Sequence, residues 1–175
     1  MEKKNVLKWN KDYQADGYIV AQHDDDKVIE IVRVENINIT TIVIPNIKKG
    51  IENHFRVSFY NKKDNNYFIY KNEDYYCFAS PKGLNVYRFP TPKLKKATKA
   101  DKSIIIEWEI VSDDITYAVI RKISGGAWKR IGLTKETKYV DSEIDTTKRF
   151  IYTVRCVSSD GKKYLSSWSV KGIFA

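Results

Sequence analysis

An internal repeat constrains this chain more than any other feature, because a duplicated sequence has to build the same unit twice. Trp9 is followed nine residues later by Tyr18, within Gly17-Tyr18-Ile19-Val20-Ala21, and Trp108 nine residues later by Tyr117, within Thr116-Tyr117-Ala118-Val119-Ile120. Both landmarks are displaced by 99 residues. Farther on, Ile47-Lys48-Lys49-Gly50 leads into Phe55-Arg56-Val57-Ser58-Phe59, and Ile144-Asp145-Thr146-Thr147 into Tyr152-Thr153-Val154-Arg155-Cys156. Each half then closes on Phe-Ala, at Phe78-Ala79 and Phe174-Ala175. Landmarks kept in one order make the chain a tandem duplication.

Within each copy the apolar period is two. Leu7 and Trp9 alternate with Lys8; Ile104, Ile106 and Trp108 with Ile105 and Glu107; Phe55, Val57 and Phe59 with Arg56 and Ser58. Alternation of this kind buries one face of a strand and leaves the other in water. Turn signals separate the runs, at Asp24-Asp25-Asp26, Asp64-Asn65-Asn66, Ser124-Gly125-Gly126 and Asp160-Gly161. No stretch has helical periodicity. The sequence therefore predicts an all-β chain folded as β-sandwiches. No apolar run is long enough for a membrane helix, so no membrane insertion is expected.

These landmarks resemble the fibronectin type III domain. The resemblance rests on a tryptophan on the second strand, Tyr-x-Val on the third, and an Ile-x-x-Gly turn before an aromatic/Val strand. Gly17-Tyr18-Ile19-Val20 and Tyr164-Leu165-Ser166-Ser167-Trp168-Ser169 are similar to the bacterial form of the family. The resemblance implies two tandem immunoglobulin-like sandwiches forming an elongated rod. Residues 1–80 are expected as domain 1, 81–88 as a stiff basic linker and 89–175 as domain 2. Two departures stand out. The family's corner tyrosine is replaced by Asn53 and Phe150, so that turn must be held another way. Domain 2 has a first strand in Thr91–Ala97, whereas in domain 1 that strand is short or missing. Either the chain is trimmed, or its next strand is an open edge for another chain or for residues 81–88 to cover.

Charge is concentrated at the joint. The chain of 175 residues carries a net +9. Residues 1–80 sum to zero, whereas 81–100 hold Lys82, Arg88, Lys93, Lys95, Lys96 and Lys99 without an acid. Lys93, Lys95, Lys96 and Lys99 are candidate polyanion contacts. No nucleic-acid-binding motif accompanies them, so nucleic acid is not expected as a partner. Leu84, Val86, Tyr87 and Phe89 are apolar enough to pack rather than hang free.

Chemistry-bearing residues are few. His23-Asp24-Asp25-Asp26 lacks the spacing of a Ca²⁺ loop and reads as a solvated turn. His54 reads as a surface residue. Cys77 and Cys156, one per copy, read as buried apolar thiols without a disulfide. No nucleophile elbow, phosphate loop or metal signature is present, so no enzyme activity, cofactor or metal is expected. The crowding of Tyr60, Tyr67, Tyr70, Tyr75 and Tyr76 with Phe68 makes a candidate protein or glycan interface. Trp168 lies in a motif resembling half of the Trp-Ser box of cytokine-receptor fibronectin domains, and Arg155, outward by the strand alternation, is expected to stack on it as a structural cation–π pair.

Three roles fit these expectations. The first is a bacteriophage virion component, a capsid or tail decoration joined to other protein subunits and reaching a host-surface glycan. The second is a spacer or adhesion pair from a bacterial secreted or cell-surface protein. The third is a polyanion-binding module. The open edge of domain 1 would also allow a homo-oligomer.

Overall fold

The computed structural model describes residues 4–24, 27–80, 83–142, 144–145 and 147–175. It divides into two compact units, 1–88 and 89–175, and every helix or strand assigned among the described residues is a strand. The first unit contains β1 (Val6–Lys8), β2 (Gly17–Asp24), β3 (Lys27–Val34), β4 (Thr41–Val43), β5 (Glu52–Lys63), β6 (Asn66–Ser80) and β7 (Gly83–Tyr87). β1 and β4 pair as a small sheet, and a five-stranded sheet runs β3-β2-β5-β6-β7. Leu7 and Trp9 from the small sheet meet Tyr18, Val20, Phe55, Val57 and Phe59 from the large one, all buried.

The second unit contains β8 (Leu94–Ala100), β9 (Ser103–Trp108), β10 (Thr116–Ile123), β11 (Lys129–Thr134), β12 (Lys138–Ser142), β13 (Phe150–Val157) and β14 (Ile173–Phe174). Its sheets run β12-β9-β8 and β11-β10-β13-β14. Ile104, Ile106 and Trp108 pack against Tyr117, Val119, Tyr152 and Val154. The chain is thus all-β, each unit a sandwich with fibronectin type III-like strand order. The expected first strand of the second unit begins at Leu94, after Pro90 and Pro92, which have no N–H to give to a ladder.

The repeat is visible in the contacts. Trp9 meets Tyr18 edge to face at 5.3 Å and 68°, and Trp108 meets Tyr117 at 5.4 Å and 65°. Each tyrosine hydroxyl then accepts a backbone N–H from the preceding loop, that of Asp12 at 3.4 Å and that of Val111 at 3.0 Å. β2 and β10 also share a ladder irregularity, after Val20 and after Val119.

The corners that lack the family's tyrosine are held by short polar side chains. Buried Asn53 donates to the carbonyls of Lys48 (2.8 Å) and Ile51 (3.1 Å) and accepts the Lys48 N–H at 3.2 Å. In the second unit the carboxylate of Asp145 accepts the Thr147 N–H at 3.1 Å. Behind it Asp141, buried, accepts hydrogen bonds from Tyr152 (2.8 Å) and Arg121 (2.7 Å). Burial, then the Asp141 carboxylate, pushes the Tyr152 hydroxyl above its ordinary pKa.

The segment expected as a linker needs correcting. Its residues 83–87 are β7, paired with β6 from Ser80↔Gly83 to Tyr76↔Tyr87. The cause is alternation that the three flanking prolines obscure: Leu84 and Val86 lie opposite the buried Ala79 and Cys77, and Leu84 packs against the core. Pro81 and Lys82 lie outside the described residues. β7 also joins the large sheet, so it does not cover β1.

Because the Trp–Tyr pair anchors both sheets, Trp108→Ala should cost about 3–5 kcal/mol, while Tyr117→Phe, losing only the hydroxyl that receives Val111, should cost about 1 kcal/mol. Urea unfolding of the two variants against the parent checks the ordering.

Candidate interaction surfaces

The tyrosines grouped from sequence do not form one surface. β5 has a register shift between Phe59 and Tyr60, so consecutive side chains are both buried, and Tyr60 (2% exposed) leaves the candidate surface. Tyr67 packs edge to face on Tyr60 at 4.9 Å, beneath the Arg33 guanidinium at 4.5 Å. Tyr75 packs against the core and donates to Glu73 at 2.7 Å. Tyr76 lies on the outer face, stacked on His54 at 4.6 Å. His54 in turn shares Asp74 with Arg56, at 3.0 and 2.9 Å. Burial opposes ionisation of Asp74, but the bonds from Arg56 and His54 outweigh it and hold the carboxyl below its usual range. Tyr70 is exposed, with its hydroxyl pushed up to about 12 by burial of that group and then by a hydrogen bond to Asp12.

What emerges instead is a projecting hairpin tip. β2 reaches β5 only as far as Tyr60, while β5 and β6 continue as a two-stranded ribbon to Lys63↔Asn66. Asp64 and Asn65 close it with positive φ at both positions, the geometry of a tight two-residue hairpin turn. Phe68, Ile69 and Tyr70 are all exposed on this tip.

In the second unit Arg155 is buried rather than outward. Its guanidinium lies 3.7 Å from the Tyr164 ring and 4.7 Å from that of Trp168, and donates to the Ser166 carbonyl at 3.0 and 2.8 Å. Trp128 and Arg130 complete a cleft of about 220 Å³ around it. The four lysines proposed for polyanions lie along β8 and just before it. Lys96 pairs with Glu107 at 3.5 Å, on the outer side of the sheet. Lys99 lies opposite Ile104, a residue of the buried side, so it shares no face with Lys96.

Of the acidic turn, Asp24 pairs with Lys48, and Asp25 and Asp26 lie outside the described residues. His23 stacks near His54 at 4.9 Å. Among the described residues no group of three or more His, Cys, Asp and Glu is placed to hold a metal. Cys77 and Cys156 are buried and in no disulfide, burial pushing the Cys77 thiol up to about 12.

The first unit carries one more surface, at the edge of β1. Asn5 accepts from Ile44 at 2.8 Å and Trp9 donates to Thr40 at 3.1 Å, so Asn5, Leu7 and Trp9 turn their backbone groups to β4. In an antiparallel ladder the intervening Val6, Lys8 and Asn10 turn theirs the other way. No strand among the described residues pairs with that side. Beneath it run two clefts. One, of about 580 Å³, lies between Asn10 and Tyr75, Val86 and Arg88; the other, of about 500 Å³, lies between Lys4 and Asn5 and Lys49, Ala79 and Gly83. Sequence pointed to the open edge through the missing first strand. It gave no sign of the floor, which exists only because β7 widens the opposite sheet.

No protein-family model matches the chain, and no curated protein sequence matches it. Among solved structures, the chicken CNTN1 FN1-FN3 domains are similar at 14% identity and TM-score 0.39, covering 97% of this chain and 61% of that one. A two-fibronectin type III domain segment of chicken tenascin is similar at 12% identity and TM-score 0.38, covering 99% and 93%. A β-1,2-glucanase from Parabacteroides distasonis is similar at 14% identity and TM-score 0.43, covering 97% of this chain and 26% of that one. The chain thus spans about three fifths of the CNTN1 fragment and a quarter of the glucanase.

Arg155→Lys keeps the charge but loses the forked donation to Ser166. It should cost about 1–3 kcal/mol in urea unfolding and red-shift tryptophan emission as Trp168 is released. The depressed Asp74 carboxyl contributes stability above its unfolded pKa that is lost as pH falls through the lower folded value. Asp74→Asn should therefore flatten the acid limb of the unfolding midpoint measured against pH.

Proposed function

We propose that this protein is a non-enzymatic structural component working through protein–protein contact, and that the assembly it serves is a bacteriophage particle, as a capsid or tail decoration. The observation that carries the reading is the unfilled edge of β1 with its clefts. The second unit completes the equivalent sheet with β8, whereas the first leaves that edge without a strand among the described residues and Val86 43% exposed on the floor. Such an edge accepts a strand from another chain. The apolar hairpin tip at Phe68–Tyr70 adds a second docking surface.

The titratable groups support the non-enzymatic half of the reading. Asp141 is held by Arg121 and Tyr152, Asp74 by Arg56 and His54, and both thiols are buried. For the particle, the support is the resemblance of Gly17-Tyr18-Ile19-Val20 to the bacterial form of the fold, together with two buried cysteines outside any disulfide, which fit synthesis in a reducing compartment.

Immunogold labelling with an antibody against this chain is expected to decorate phage particles purified from the strain that encodes it. Label confined to the bacterial envelope or the culture medium overturns the particle reading in favour of a surface or secreted protein.

A further inference from the structure

We infer that the open edge of β1 receives one extended segment of a different protein, bound antiparallel along the side on which the second unit places β8, with an acidic residue facing Lys8. The inference rests on the protein–protein reading above and names the contact it uses.

The second unit of the same chain supplies the template. With the offset of 99, Val6, Lys8 and Asn10 correspond to Ile105, Glu107 and Glu109. These three positions face β8 and the residue before it: Thr98 lies opposite Ile105, Lys96 opposite Glu107, and the Glu109 N–H donates to the Lys93 carbonyl at 2.9 Å. Inward, Leu94 lies opposite Trp108 and Ala97 opposite Ile106, both packed against the core. The occupant of the first unit must therefore be an amphipathic strand, with an apolar residue opposite Trp9 and a small one opposite Leu7. Its side chains would settle on Tyr75, Ala79 and Val86.

Charge separates the two copies. In the second unit the receiving strand carries Glu107 and the filling strand Lys96, at 3.5 Å. In the first unit Lys8 stands where Glu107 does, so the polarity is reversed. Lys4 and Lys49 line the cleft at the Asn5 end, whereas the cleft at the Asn10 end carries Glu73 and Asp74 beside Arg88, so the positive charge of the edge is concentrated from Lys4 to Lys8. Like charges directly opposite across an antiparallel pair are destabilising and opposite ones favourable. β8 of a second copy would set Lys96 against Lys8, so self-pairing through that strand is disfavoured, and the favoured occupant is a segment of another protein with an acidic residue at that position.

The test uses the full chain, isotope-labelled, and two peptides with the sequence of residues 91–100, one native and one carrying Lys96→Glu. The Lys96→Glu peptide should shift the amide signals of Val6, Lys8, Asn10 and Val86, and bind roughly three- to tenfold more tightly than the native one. In the Lys8→Glu chain, whose exposed substitution leaves the core intact, that order should reverse. Because single strands bind weakly, each segment is also joined ahead of residue 1 through a Gly-Ser linker, which raises its effective concentration to about the millimolar range. The Val6 and Lys8 amides should then exchange with solvent more slowly with the Lys96→Glu segment, and with the native segment in the Lys8→Glu chain. Absence of protection in every arm, or equal protection whatever the charge, overturns the inference. Either result leaves the particle-labelling experiment unaffected, so the two readings fail separately.

Discussion

Trp9 against Tyr18, and Trp108 against Tyr117, are the contacts on which each sandwich depends. An edge-to-face pair joins a residue of the small sheet to one of the large sheet, and so fixes how the two layers face each other. The tyrosine hydroxyl then takes a backbone N–H from the loop between the two strands, which sets where that loop runs. Because the loop is local and the pair crosses the core, one residue ties chain direction to layer packing. Gly17 belongs to the same arrangement. A Cβ there would collide with the Val34 carbonyl and the Tyr60 ring, so the buried Tyr60 requires glycine beside Tyr18.

The two copies keep this centre and differ at one edge. In the second unit β8 closes the smaller sheet; in the first, β7 widens the larger one instead. The result is an inner face with no strand above it among the described residues, rimmed by backbone groups of β1. Duplication preserved the part of the sandwich that determines folding. The first unit's edge diverged, where a change alters what the domain contacts more than whether it folds. The exchange of Glu107 for Lys8 lies on that same rim.

The aromatic residues show where sequence reasoning stops. Tyr75 and Tyr76, grouped in one candidate interface, lie on opposite faces of β6, as period-two alternation requires of neighbours. It failed at Tyr60, because the register shift after Phe59 turns two successive side chains inward. Nothing in the local sequence marks that shift, which is set by how β6 pairs across the strand. The same alternation turns Arg155 away from the core, yet Tyr164 and Trp168 fold over it and bury it. Lys96 and Lys99 looked like one charge cluster in sequence, but the ladder puts them on different sides.

The sequence by itself determined the fold class, the duplication, the all-strand character of the described residues and the buried thiols. These follow from residue spacing, and spacing along a strand translates directly into faces. It also pointed to a short or missing opening strand in the first copy and to an asparagine in place of the corner tyrosine, leaving tertiary structure to show how Asn53 holds that turn. Only the tertiary structure decided that residues 83–87 are a strand of the first unit, and that the open edge has a floor. Both depend on which distant strand offers free backbone groups. That is a property of the assembled sheet, and no local pattern of prolines and lysines encodes it.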